Sequence, residues 1–348
     1  MSAASTGRDA SRSPGLWALG LARLRRDRVG MLSLAVVLLF AVLTLATAPG
    51  WLAADWDEQA GPGHAPPLTS QHAAQQALAA PNVPADASTV TDPLADVLAQ
   101  IAHEGWKATP TEVKPRSGIL WLGTDRWGRD VAKKTLRGTQ TSMWVGLLAA
   151  ALAVAIGTAF GAFAGYYGGR TDDFFNWLYS VFTSVPYLLL ILAIAAVLNQ
   201  KGTATVVLIL GLTGWTGVFR IMRAEYLKHR VREYVRAAEA LGASNPRRMF
   251  VHILPNLGHV VLVQLSLHAV SFMKSEVVLS FLGFGVGVDD VSWGSMLNEA
   301  QSEILLGHWW QLAAATAAMA VLVTAFSLMT DALRDALDPR LASGRARG

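Results

Sequence analysis

Long runs without a charged side chain alternate along this chain with short basic segments. Five runs, Val29 to Ala54, Gly138 to Gly169, Phe174 to Gln200, Gly202 to Phe219 and Ile304 to Thr330, reach or approach the ~20 apolar residues a helix needs to cross a bilayer core. A sixth, Met249 to Leu282, is long enough but carries Lys274 and Glu276. The pattern predicts an all-α integral membrane protein with six transmembrane helices. Between the first two, residues 55–137 form a long polar insertion. Its Ala- and Pro-rich stretch Asp55 to Ser117 shows no strand alternation and reads as loops with one or two short helices near Pro93 to Glu104.

Charge sets the orientation, because short cytoplasmic loops collect Lys and Arg. Residues 1–28 hold six Arg, the segment Arg220 to Asn256 holds eight basic residues and the tail after Thr330 holds four Arg, whereas Phe284 to Glu303 holds none. Both termini are therefore expected in the cytoplasm, with 1–28 and 334–348 as cytoplasmic ends and 55–137 as an extracytoplasmic segment. Residues 15–28 read as an amphipathic helix on the inner leaflet. The first apolar run is longer than a signal-peptide core and is expected to stay as an anchor, helix 29–54. Only 16% of the residues are charged, which fits a membrane protein. The net charge of +4 sits beside the spans and forms no nucleic-acid stripe, and with no cysteine there is no disulfide in the outer segment.

Gly157, Gly161 and Gly165 recur every fourth residue in the second span, a small-residue face on which another helix can lie close. Lys274 and Glu276, two apart, point to different faces and do not neutralise each other along the helix. Glu276 is the one acidic residue in the six spans, and both are candidate pathway residues, since ionisable groups at membrane depth face water or a polar partner. The competing expectation places them near the outer interface.

Residues 224–256 contain REYVRAAEALGASNPRRMFVHILPN from Arg232 to Asn256. Ala224 to Leu241 is helix-forming throughout, and Gly242 stands where a left-handed terminating residue belongs. Ser244 or Asn245 can then cap a new helix with Pro246 in its first position. The expected form is helix, Gly elbow, helix, with small side chains leaving the backbone open to a partner.

This stretch resembles the EAA loop of ABC importer permeases: Glu-Ala-Ala, three residues, Gly, nine residues, Ile, one residue, Leu-Pro. Ala237, Ala238, Gly242, Leu254 and Pro255 match, while Arg236 replaces the Glu and His252 the Ile. LGTDRWGRDV (122–131), GYYGG (165–169), SFLGFG (280–285), WGSML (293–297) and DALRDALDPR (331–340) are similar to the C-type permease of dipeptide and oligopeptide importers. The resemblance implies a type I ABC importer permease fold with a core over 138–333. It further implies docking of ATPases at Tyr234, Arg236, Ala237, Ala238, Leu241, Gly242, Ala243, Ser244, Leu254 and Pro255. The implied partners are a homologous B-type permease, two ABC ATPase subunits and an extracytoplasmic substrate-binding protein, in a bacterial inner membrane. Solutes of the wider family include nickel, glutathione and microcin-like compounds. The long outer segment and Arg236 are similar to the branch for microcin-like or larger peptides.

No phosphate loop of the Gly-x-x-x-x-Gly-Lys-Ser/Thr type is present, so ATP and Mg are expected on the partner ATPases and no cofactor or catalytic residue on this chain. The eight His show no metal-binding spacing. Two rivals differ in class: a secondary transporter, which needs a coupling-ion site, and an anchored enzyme with its site in the outer segment.

Overall fold

The computed structural model describes residues 22–71, 118–287 and 289–337. The short helices expected near Pro93 to Glu104, and most of the expected inner-leaflet helix, lie outside them.

Helix α1 spans Arg28–Thr47, with the Asp27 carboxylate accepting from the Val29 amide. It stops seven residues before the expected Ala54, because Pro49 has no amide to continue the ladder and Gly50 turns away at φ +80°. A minimal antiparallel pair follows in the insertion, β1 (Thr69–Ser70) on β2 (Ile119–Leu120). It is too short to leave an alternation in the sequence.

Helix α2, Val131–Tyr167, starts two turns before the expected Gly138 and is capped by Asp130, whose carboxylate accepts from Ala132 N at 2.9 Å. The next two apolar runs are each broken. Helices α3 (Gly169–Thr183) and α4 (Tyr187–Leu198) meet at 81°, and α5 (Thr203–Thr213) and α6 (Thr216–His229) at 41°. Pro186 lies in the first break and Gly214 in the second, where a helical ladder loses a donor or its stiffness. Helix α7 covers Glu233–Ala240 and α8 Asn245–Phe281. Helix α9, Trp293–Leu305, opens with a capping box in which Ser292 and Ser295 each bond the other's backbone amide. Helix α10 is Trp310–Leu337. Among the described residues four helices, α1, α2, α8 and α10, are long and apolar enough to span a membrane, or up to six spans if each bent pair counts as one.

Helix α2 is the axis of the bundle. Its Val145, Ala149 and Ala153 are fully buried in the main core with Phe272 and Met273 of α8. The glycine stripe faces α6: a Cβ on Gly157, Gly161 or Gly165 would fall within 2.9 Å of atoms of Trp215, Val218, Phe219, Met222, Arg223 or Tyr226. Such contact matters in lipid, where burying apolar surface gains little and van der Waals packing must hold helices together. Elsewhere the spans expose Leu32, Leu38, Leu39, Leu45, Leu189 and Leu208, as lipid- or partner-facing surfaces do.

Candidate functional site

At the end of the bundle where α2 finishes, α6 leaves the core and the chain turns at Arg230–Arg232. The uninterrupted helix expected from Ala224 to Leu241 is thus broken. Propensity favours continuity there, but Arg230 Nη1 donates to the last carbonyls of α2, Gly165 O at 3.4 Å and Tyr166 O at 3.3 Å. Those acceptors have no intrahelical donor, and a cation suits the helix C-terminus. After the turn, α7 lies with Val235 and Ala238 inward and Arg236 and Ala237 outward. Val235 packs in a cluster with Tyr226, Met249 and Ile253. Tyr234 is on the rim, its hydroxyl 2.7 Å from His229 Nδ1.

Helix α7 ends in a Schellman turn. The Ala243 amide donates to Ala238 O at 3.0 Å and the Gly242 amide to Glu239 O at 2.9 Å, with Gly242 at φ +81°. Ser244 stands at the N-cap of α8 without a side-chain cap bond, so Asn245 is the first helical residue and Pro246 the second, one place later than expected. Asn245 Oδ1 instead accepts from Tyr166 Oη at 3.2 Å and from Arg248, and Arg248 closes the elbow with an ion pair to Glu239 at 2.6 Å. A Cβ on Gly242 would meet nothing within 4 Å. At the tip Leu241 is 88% exposed, an apolar side chain between exposed Arg236 and Arg247.

Helix α8 continues without a stop through Pro255. It passes Arg248–Ile253 in π geometry and Leu254–Leu257 in 3-10 geometry, with Leu254 half-buried and Pro255 exposed, and runs on to Phe281. At 37 residues it is about 55 Å long. The elbow is therefore the first turn of a rod that reaches the other end of the bundle, with irregular turns near its base where helices commonly flex.

Near the far end of that rod Glu276 is completely buried. Its carboxylate accepts from Ser142 Oγ of α2 at 2.9 Å and Ser280 Oγ at 2.7 Å, and Ser142 Oγ in turn accepts from Trp293 N of α9 at 3.4 Å. Glu276 thus faces neither solvent nor lipid here and joins three helices, while Lys274 is exposed on another face.

The same end holds an ionic cluster that sequence reasoning missed. Lys134 Nζ lies 2.7 Å from Asp125 Oδ2, contacts Glu299 and reaches Gln311 Oε1 at 3.4 Å. Arg129 adds bonds to Asp125 at 2.7 Å and Glu299 at 3.4 Å. Burial favours protonation of Asp125, but Lys134 and Arg129 outweigh it and hold its pKa below the usual carboxylate value. The one clue in the sequence is the packing of so many charges into LGTDRWGRDV beside a span. Among the described residues, no group of three or more His, Asp or Glu could hold a metal ion.

Residues 157–343 match the family of binding-protein-dependent transport system inner membrane components. The dipeptide transport system permease protein DppC of Bacillus subtilis is 38% identical over 227 residues, covering 65% of this chain and 71% of that protein. The oligopeptide transport system permease protein OppC of Mycobacterium tuberculosis is 34% identical over 67% of this chain and 80% of its own length. The glutathione transport system permease protein GsiD of Pectobacterium atrosepticum is 34% identical, covering 65% and 75%. A structure of the MetNI methionine ABC transporter in inward-facing conformations overlays with TM-score 0.48 at 12% identity, over 59% of this chain and 96% of that one.

Proposed function

Since the chain belongs to the family of binding-protein-dependent transport system inner membrane components, we propose that it is the permease subunit of an ATP-driven importer for peptides or peptide-like solutes. Membership of that family favours this reading over the secondary transporter and the anchored enzyme. In this reading a homologous permease completes the pathway, two ATPase subunits dock at the elbow and carry ATP and Mg, and a binding protein delivers solute from outside. Both termini lie in the cytoplasm of a bacterial inner membrane.

The observation that carries the coupling role is the elbow itself. Leu241 is 88% exposed and a Cβ on Gly242 would meet no described atom within 4 Å, both just before the first turn of a 37-residue helix. Closure of the ATPases pushes this tip, and α8 carries the displacement toward Glu276 and α9. The energy of the switch is the difference in nucleotide affinity between the two states.

Gly242→Trp tests the role in the assembled complex. A Cβ at this position meets no described atom within 4 Å, so the backbone cost is the strain of positive φ, about 1–2 kcal/mol. Insertion is expected to be normal while solute-stimulated ATP hydrolysis and import fall at least tenfold. Import at the normal rate ends the docking role. Topology is checked separately: reporters fused after Asn245 and Leu341 should respond as cytoplasmic and one after Pro81 as external. An internal Pro81 overturns the orientation.

A further inference from the structure

At the end of the bundle opposite the elbow, a cavity of about 330 Å³ opens between the loop before α2, the turn after α8, α9 and the loop joining α4 to α5. That volume is at the small end of ligand pockets. Two of its four cations, Arg129 and Lys134, are occupied by Asp125 and Glu299. The other two are Arg126 and Lys201. Both are exposed, and among the described residues neither forms an ion pair. They come from segments far apart in the chain and converge on one space.

Arg126 is held ready. Its amide donates to Glu303 Oε1 at 3.0 Å, and its guanidinium lies 5.2 Å from the Trp127 ring centroid, a stacking that leaves its N–H edge free. Lys201 is placed by the next residue, whose amide donates to Gly285 O at 3.2 Å, so its loop is tied to the turn that forms the cavity wall. Asp290, also in the lining, is engaged by Thr203 Oγ1 at 3.1 Å. A planar guanidinium and an ammonium with no ion pair among the described residues, beside Arg129 and Lys134 whose charges are already paired, favour a carboxylate, which takes a forked pair from Arg and a point charge from Lys.

We propose that this cavity binds the carboxylate end of a short peptide through Arg126 and Lys201. The choice of a peptide rests on the importer reading. The carboxylate preference rests on the cavity alone. Ser280 lines the cavity and donates to Glu276, so an occupant touches the upper end of the helix whose base is the elbow.

The test uses the full-length chain assembled with its companion subunits in nanodiscs, titrated calorimetrically with dialanine and with dialanine amide. Dialanine is expected to bind saturably and the amide at least tenfold more weakly. Arg126→Gln and Lys201→Gln should each weaken dialanine at least tenfold without shifting thermal unfolding, both side chains being exposed. Equal affinity for acid and amide, no saturable binding, or variants that bind like the wild type overturns the proposal. If those results come from a complex that still imports peptides, the cavity falls and the importer stands. If dialanine binds through Arg126 and Lys201 in a chain that recruits no ATPase, the importer reading falls and the cavity stands.

Discussion

Gly161→Leu is expected to abolish assembly of the folded chain. A Cβ at this position would lie 2.7 Å from Met222 Cβ, 2.8 Å from Arg223 N and 2.9 Å from Phe219 O, and two of those three atoms are backbone. No rotamer change relieves the clash, so α2 and α6 must separate. Overpacking a soluble core typically costs about 1–3 kcal/mol. The expected loss here is at the upper end or beyond, because close approach is itself the source of helix attraction in lipid. Separation also displaces α6 and with it the Arg230 contacts that set the elbow. Ala155→Leu, two residues before Gly157 on an exposed position of the same helix, is the control and should be near neutral. Size-exclusion profile and thermal unfolding in detergent give the readout. A Gly161→Leu chain that elutes and melts like the wild type refutes close α2–α6 packing.

Lys134→Ala is expected to cost about 3–5 kcal/mol, the usual loss when one partner of a buried ion pair is removed and the other stays behind. Lys134 and Asp125 are 1% and 0% exposed, and the variant leaves Asp125 and Glu299 sharing Arg129. The pH dependence follows from Asp125. Its folded pKa lies below the ordinary value, so its contribution is fully present above the unfolded carboxylate pKa and is lost as pH falls through the lower folded value. Without Lys134, burial acts with less opposition and that contribution shrinks. The deficit of the variant should therefore be largest near neutrality and narrow as the medium is acidified through about pH 4 and below. A deficit that stays constant with pH, or below about 1 kcal/mol at neutrality, shows that the cluster does not hold the outer loop to α2 and α9.

Much of the architecture is written in short-range signals. Absence of charge over ~20 residues marks the spans, because an unpaired charge in hydrocarbon is costly wherever the helix packs. Gly242 after a helix-forming run, followed by Ser244 and Pro246, marks the elbow, since the left-handed residue and the helix start are local backbone requirements. The four-residue spacing of Gly157, Gly161 and Gly165 marks a close-packed face, but not that α6 is what lies on it.

What the sequence by itself determined, then, is where the chain is apolar, where it turns and which face is small. Tertiary structure alone decided the break at Arg230 where α2 needed a donor for its last carbonyls, the burial of Glu276 between Ser142 and Ser280, and the convergence of Arg126 and Lys201 on one cavity. The reason is range. Propensity, capping and periodicity act within a few residues, whereas Lys134 meets Glu299 across 165 positions, and Ser142 meets Glu276 across 134, only once the helices have packed.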